Sequence, residues 1–398
     1  MSHAPVLRRP AAGARRRGIG LTLALALAVM AGAGGCASPG NAPASMGPLD
    51  YYGQSIGGHL DLMQRARPVA DWLADPATPP ALRERLQLAQ RLRSFAVSAL
   101  GLPDNASYRR YADLQRSAVV WNVVAAPELS LSLKTWCYPL MGCVGYRGYF
   151  KREDAEAEAV VQRAAGLEAT VYGVPAYSTL GWTDWLGGDP LLNTFVNGSE
   201  ASLARLIFHE LAHQVAYAPG DTVFNESYAT AVERLGQARW RAGGGALAED
   251  PAAVQRLADF RTITRRTRSA LAALYAGSAA DAQASTQPDL QTAAQTAAQA
   301  AASKRQRKAQ LLAAMRAEFA ALKAHEAGPW AGFMGYDDWL AGANNASLAL
   351  QAAYDSLVPD FERLFERCGR DFRRFHAEVQ RLAQLPAEQR LAALQAGP

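Results

Sequence analysis

The chain has 398 residues, 49% of them apolar, which is long enough to bury a large core and too hydrophobic for a disordered segment. Its formal charge of +5 is an end effect: residues 1–35 hold five arginines (Arg8, Arg9, Arg15, Arg16, Arg17) and no acid, so beyond them 36 Lys+Arg face 36 Asp+Glu. A body of zero net charge excludes nucleic-acid binding driven by net charge.

Residues 1–35 have the three parts of a secretory signal: the arginine cluster, an apolar run from Ile19 to Met30, and small residues from Ala31 to Gly35. The run is too short, and too soon followed by glycine, for a transmembrane helix. Ala33-Gly34-Gly35-Cys36 resembles the bacterial lipobox, with Ala33 where that pattern usually has Leu. The resemblance implies an acylated Cys36 and a periplasmic chain anchored to a membrane by its N-terminal lipid. Ala37 stands where an inner-membrane retention signal has Asp, which points to the outer membrane. Residues 36–50, rich in Ala, Pro, Gly and Ser, read as a flexible tether, and 51–398 as a single domain.

From Tyr51 to about Leu100 the apolar spacing predicts two helices, interrupted by Pro76 and Pro79-Pro80. Val119 to Val124 and Leu129 to Lys134 have the composition of short strands. Between Cys137 and Cys143 lie a Pro and a Gly able to turn the chain back, so a disulfide is predicted there, with Cys368 left as a buried free thiol. Arg147, among Tyr146, Tyr149 and Phe150, is expected to stack or pair, with a substrate carboxylate as the alternative partner. A helix over Asp154 to Ala165 and strands over Ala169 to Val174 and Tyr177 to Leu180 follow.

The chemistry concentrates in the next stretch. His209-Glu210-Leu211-Ala212-His213 puts two imidazoles on one face of a helix that Ser199 can cap and that Leu203, Leu206, Ile207 and Val215 would bury. Pro219-Gly220-Asp221 ends it, and a second helix should begin near Thr222. Two His from one helix and a carboxylate from the next would hold one Zn2+ per chain and leave a position for water. Glu226 is the expected third ligand, with Asp221 and Glu233 as competitors, while Pro219 occupies the place of the third metzincin His and excludes that subclass. Glu210, next to a ligand, is the general base. Thr230 or Glu233 would orient a ligand His through its other ring nitrogen.

Two long helices, Pro251 to Ala276 and Lys304 to Ala324, should form a hairpin around a low-complexity insertion at about 276–303. Their basic residues (Arg261, Arg265, Arg266, Arg268; Lys304, Arg305, Arg307, Lys308) would lie near its tip on solvated faces. Further helices fill Trp330 to Leu394, one of them capped at Asn344-Asn345 and running through Tyr354. Tyr228, His325 and Tyr354 are each able to donate to an oxyanion, and the sequence does not rank them.

RLIFHELAHQ and FNESYAT, with WNVVAAPEL, WCYPLMGCVGYRGYF and GVPAYSTLGW upstream, resemble the family of predicted bacterial aminopeptidases, gluzincin-like envelope proteins. The resemblance covers most of the chain after the signal region and weakens over 276–303. It implies an α+β, mainly α-helical fold with a zincin-like core, a small sheet and a long C-terminal helical hairpin. It also implies a zinc peptidase acting on peptide or protein substrates, with His209, His213 and Glu226 as ligands and Glu210 activating water. In thermolysin-like zinc peptidases an edge strand above the metal pairs with substrate, and Ala176 to Leu180 is the candidate, with Asp184 and Asp189 near enough to meet a substrate ammonium group. Two alternatives stay open: an endopeptidase, and a non-catalytic envelope scaffold or chaperone-like lipoprotein with a structural zinc.

Overall fold

The computed structural model describes residues 45–138, 142–176, 187–281 and 290–396. The signal segment, Cys36, most of the 36–50 tether, the Tyr177–Leu180 strand and Asp184 lie outside the described residues. The first helix among the described residues, α1 (Pro48–Arg65), starts three residues before Tyr51 on a proline whose fixed φ and missing N–H suit a helix's first turn. Helix α2 (Pro80–Leu100) starts the same way and stops at Gly101, which takes the left-handed φ of +65° that a C-terminal cap requires. It buries Leu86, Ala89, Leu92, Ala96 and Leu100 at helical spacing in the main core.

The principal sheet has three antiparallel strands: β1 (Val120–Pro127) at the centre, β2 (Arg147–Tyr149) on one side and β3 (Leu167–Val174) on the other. Along β1 both faces are apolar because both are covered. Val123 and Ala125 pack on Ala155 and Ala159 of α3 (Arg152–Ala164), while Val124 and Ala126 meet Ala346 on the opposite side. Leu129 to Lys134 forms no strand, in contrast to the expectation from its composition. A turn closes from Ser130 N–H to Pro127 C=O, and Lys134 N–H donates to Ala125 C=O of β1.

Two antiparallel strands, Trp136–Tyr138 and Gly142–Val144, carry a disulfide between Cys137 and Cys143. Arg147 stacks over Tyr51 with its guanidinium 4.2 Å from the ring and faces Glu158 at 3.7 Å, a structural role. Cys368 is free and half-buried.

Helices α4 (Glu200–His213) and α5 (Thr222–Ala242) pack against each other and against α2 in the main core. Next come α6 (Pro251–Asp281) and α7 (Leu290–Lys323), which extend further into the Ala/Gln-rich stretch than its low complexity suggests; Ala and Gln are good helix formers, and only 282–289 separate the two. Phe260, Ile263 and Leu271 of α6 meet Leu312, Met315 and Phe319 of α7 in a second core. The basic residues do not gather at the hairpin's tip. Lys308 is buried and paired with Glu168, Arg305 pairs with Glu128 at 2.8 Å, and Arg266 pairs with Glu318 across the hairpin.

Helix α8 (Asn345–Asp355) is capped by Asn344 in a reciprocal capping box with Ser347. It lies between the sheet and α5, joining the two layers. The chain closes with α9 (Val358–Arg367), α10 (Phe372–Ala383) and α11 (Ala387–Gln395).

His376 of α10 is buried among aromatic rings. Its Nε2–H donates to the Leu100 carbonyl and its Nδ1 accepts from the Tyr228 hydroxyl, both at 2.8 Å, so the ring is neutral. Burial pushes its pKa down to about 4 from 6.5. Because the folded value lies below the unfolded one, protonation favours the unfolded chain: this stabilisation is complete above pH 6.5 and is lost as the pH falls towards 4. A loss of about 2 kcal/mol is expected by roughly pH 5. Urea unfolding at the two pH values should show that much more pH sensitivity in wild type than in His376→Gln; equal sensitivity contradicts the assignment.

Candidate metal centre

Local rules set the helix that carries the two histidines. Ser199 Oγ accepts from Ser202 N–H at the start of α4, and Leu203, Ile207 and Leu211 fix its rotation by burying one stripe completely. Four residues apart, His209 and His213 then emerge on the same flank, their rings edge to face at 4.9 Å.

The connection to α5 is held in three ways. Gly220 takes a left-handed φ of +80°. The Asn225 side-chain amide bonds both the N–H and the C=O of Ala218, at 2.8 and 2.9 Å. The disulfide-bearing strand pair leans on the turn at Gly142, where a Cβ would lie 2.9 Å from Gly220 N. Asp221 caps α5 by accepting from Phe224 N–H and pairs with buried Arg390, so its carboxylate is engaged away from the histidines.

With the turn fixed, Glu226 faces α4. Its Oε2 lies 3.2 Å from His209 Nε2 and 3.7 Å from His213 Nε2, and the two Nε2 atoms are 3.2 Å apart. The three side chains are 12%, 8% and 14% exposed. Behind His209, Glu233 Oε2 sits 3.2 Å from Nδ1. A carboxylate only accepts, so Nδ1–H donates to Glu233, which leaves Nε2 facing Glu226 and His213: it donates to Glu226 when protonated and would offer its lone pair to a bound ion. His213 Nδ1 is buried with no hydrogen-bond partner among the described residues.

This donor set suits a small divalent ion. Donors about 2.0–2.1 Å from a tetrahedral zinc stand about 3.3 Å from one another, close to the observed triangle. The electrostatics agree. Burial lowers the His209 pKa, but the bonds to Glu226 and Glu233 outweigh it and carry the value well above the ordinary imidazole range. For Glu226, burial favours the neutral acid, yet the two histidines win and hold it ionised. The pocket therefore stabilises positive charge at its centre.

Glu210 is half-buried beside the triad and not part of it. Burial raises its pKa, with the histidines opposing and Glu226 and Glu233 reinforcing. It lines a recess of about 210 Å³ with His209, Glu233 and Arg261.

Tyr354 at the end of α8 is the site residue that spacing did not single out. Its ring stacks on His209 at 6.3 Å and is 37% exposed. The charge of Glu226, then burial, pushes its hydroxyl well above the ordinary phenol range, so it stays a donor. Of the other two candidates, Tyr228 is buried and bonded to His376, and His325 lies in the loop after α7, outside the residues that line the recess. Asp189 is buried and accepts from Gln214 at 3.4 Å.

A family model described as "Putative aminopeptidase" matches residues 50–394. The chain belongs to this family. The family's span contains every residue of the site, from the α4 histidines to Tyr354, and membership supports a peptidase function. No curated protein and no solved structure matches the chain.

Proposed function

We propose that the chain is a zinc-dependent peptidase with a zincin-like core, acting as an aminopeptidase in the cell envelope, where an acylated Cys36 and the 36–50 tether hold it to the outer membrane. One observation carries the reading: three inward lone-pair donors, from His209, His213 and Glu226, converge within 3.7 Å beside a carboxylate that is not needed to hold an ion. A structural site has no use for Glu210.

When bound, zinc would supply Lewis acidity, polarising the scissile carbonyl and making a nearby water more acidic. Glu233 holds the His209 ring in the tautomer that offers Nε2. Glu210, its carboxyl raised by burial, takes the proton from the attacking water and returns it to the leaving amine. The hydroxyl of Tyr354 donates to the oxygen on which negative charge develops.

Tyr354→Phe is expected to lower kcat on the order of 100-fold with zinc content unchanged. An unchanged kcat would remove Tyr354 from the mechanism. Digestion of a peptide library with and without a chelator tests the reading as a whole. Loss of single N-terminal residues, suppressed by chelation and by blocked N-termini, is the expected outcome; cutting of blocked peptides would make the enzyme an endopeptidase.

A further inference from the structure

Helix α6 turns one face towards the metal centre, and that face is basic. Arg261, Arg265 and Arg268 follow at helical spacing, together with Phe260 and Thr264, along one wall of a cavity of about 160 Å³ whose other wall is Gln351 and Tyr354 of α8. Tyr354 stacks on His209, and Arg261 also lines the recess that holds Glu210. A shared phenol and a shared guanidinium thus join the arginine-lined cavity to the reacting site.

Arg261 and Arg268 of this wall are already engaged by neighbours. Arg265 is exposed and makes no ion pair among the described residues, whereas its neighbour Arg266, turned the other way, is paired with Glu318 of α7. Guanidinium groups recognise carboxylates through paired N–H donors.

We infer that this cavity is the subsite for a substrate carboxylate, so that the peptidase acts on peptides with an acidic side chain or a free C-terminus close to the scissile bond. The inference rests on the peptidase reading for the words "scissile bond"; the binding it specifies does not require turnover.

The test is calorimetric titration of the zinc-loaded Glu210→Gln protein with three pentapeptides. These are Ala-Ala-Glu-Ala-Ala amide, Ala-Ala-Gln-Ala-Ala amide, and Ala-Ala-Gln-Ala-Ala with a free C-terminus. At low salt, one or both carboxylate peptides should bind about 10-fold more tightly than the neutral one, equivalent to about 1.4 kcal/mol. Which of them does so identifies the source of the carboxylate. Arg265→Gln should remove most of the preference and Arg266→Gln should leave it intact. Equal binding of all three, no binding of either carboxylate peptide, or a preference that survives Arg265→Gln overturns the inference. If the preference holds while wild type cleaves none of the three, the subsite stands and the peptidase reading falls.

Discussion

Glu210→Gln is expected to purify with its metal and to lose hydrolysis on the order of 100- to 10,000-fold in kcat, the range of a positioned general base. The substitution keeps shape and hydrogen bonding but cannot take a proton. Glu210 is half-buried near Glu226 and Glu233, whose charges add to the burial that raises its pKa, so neutralising it relieves repulsion and should not weaken the fold. A midpoint of unfolding no lower than wild type, equal zinc content and lost turnover together identify a base. Full activity would remove that role, and loss of zinc would make Glu210 part of the ligand set.

Glu226→Ala is expected to lower zinc affinity by roughly 1,000-fold or more, since one of three protein donors is gone. Glu233→Gln should cost only about 10- to 100-fold, the effect of a partner that orients a ligand. Asp221→Asn should keep zinc. An Asn caps α5 as well as Asp does, while the lost charge opposite Arg390 costs about 1–3 kcal/mol of stability. Competition titration with a chromophoric chelator ranks the three variants. If Asp221→Asn loses zinc and Glu226→Ala retains it, the third ligand has been assigned to the wrong carboxylate.

The geometry that local rules control was legible in the sequence. An i, i+4 pair on a capped helix must share a face, so His209 and His213 could be named from the motif with Glu226 as their expected partner; the helix itself stops at His213, with Gln214 as its C-cap, before Pro219-Gly220-Asp221 is reached. Spacing left Asp221, Glu226 and Glu233 open, and the bonds made at the turn, Asn225 to Ala218 and Asp221 to Arg390, set Glu226 beside the two histidines and Asp221 away from them.

Tyr354 and the arginines of α6 reach the site through tertiary packing. The direction each faces depends on how α8 seats between sheet and α5, and on the register of α6 against α7, neither of which is a local property. The basic residues of the hairpin show this plainly. One pattern of charge divides into a buried pair (Lys308 with Glu168), a cross-helix pair (Arg266 with Glu318) and a wall beside the metal centre.

Leu129 to Lys134 has strand composition, but it begins in the turn that Ser130 N–H closes on Pro127 C=O and meets β1 through Lys134 N–H to Ala125 C=O, without the repeated ladder that makes a strand. The Ala/Gln-rich tract misled in the opposite sense. Low complexity suggested a linker, while the intrinsic preference of those residues continued the helix.

The most direct measurement is the metal content of the purified chain, followed by activity after removal and return of the ion. About one zinc per chain, peptide hydrolysis that disappears on chelation and returns with zinc, and no zinc in Glu226→Ala are the results expected of a single three-donor site. A metal-free preparation that still cleaves peptides would contradict the account at its centre.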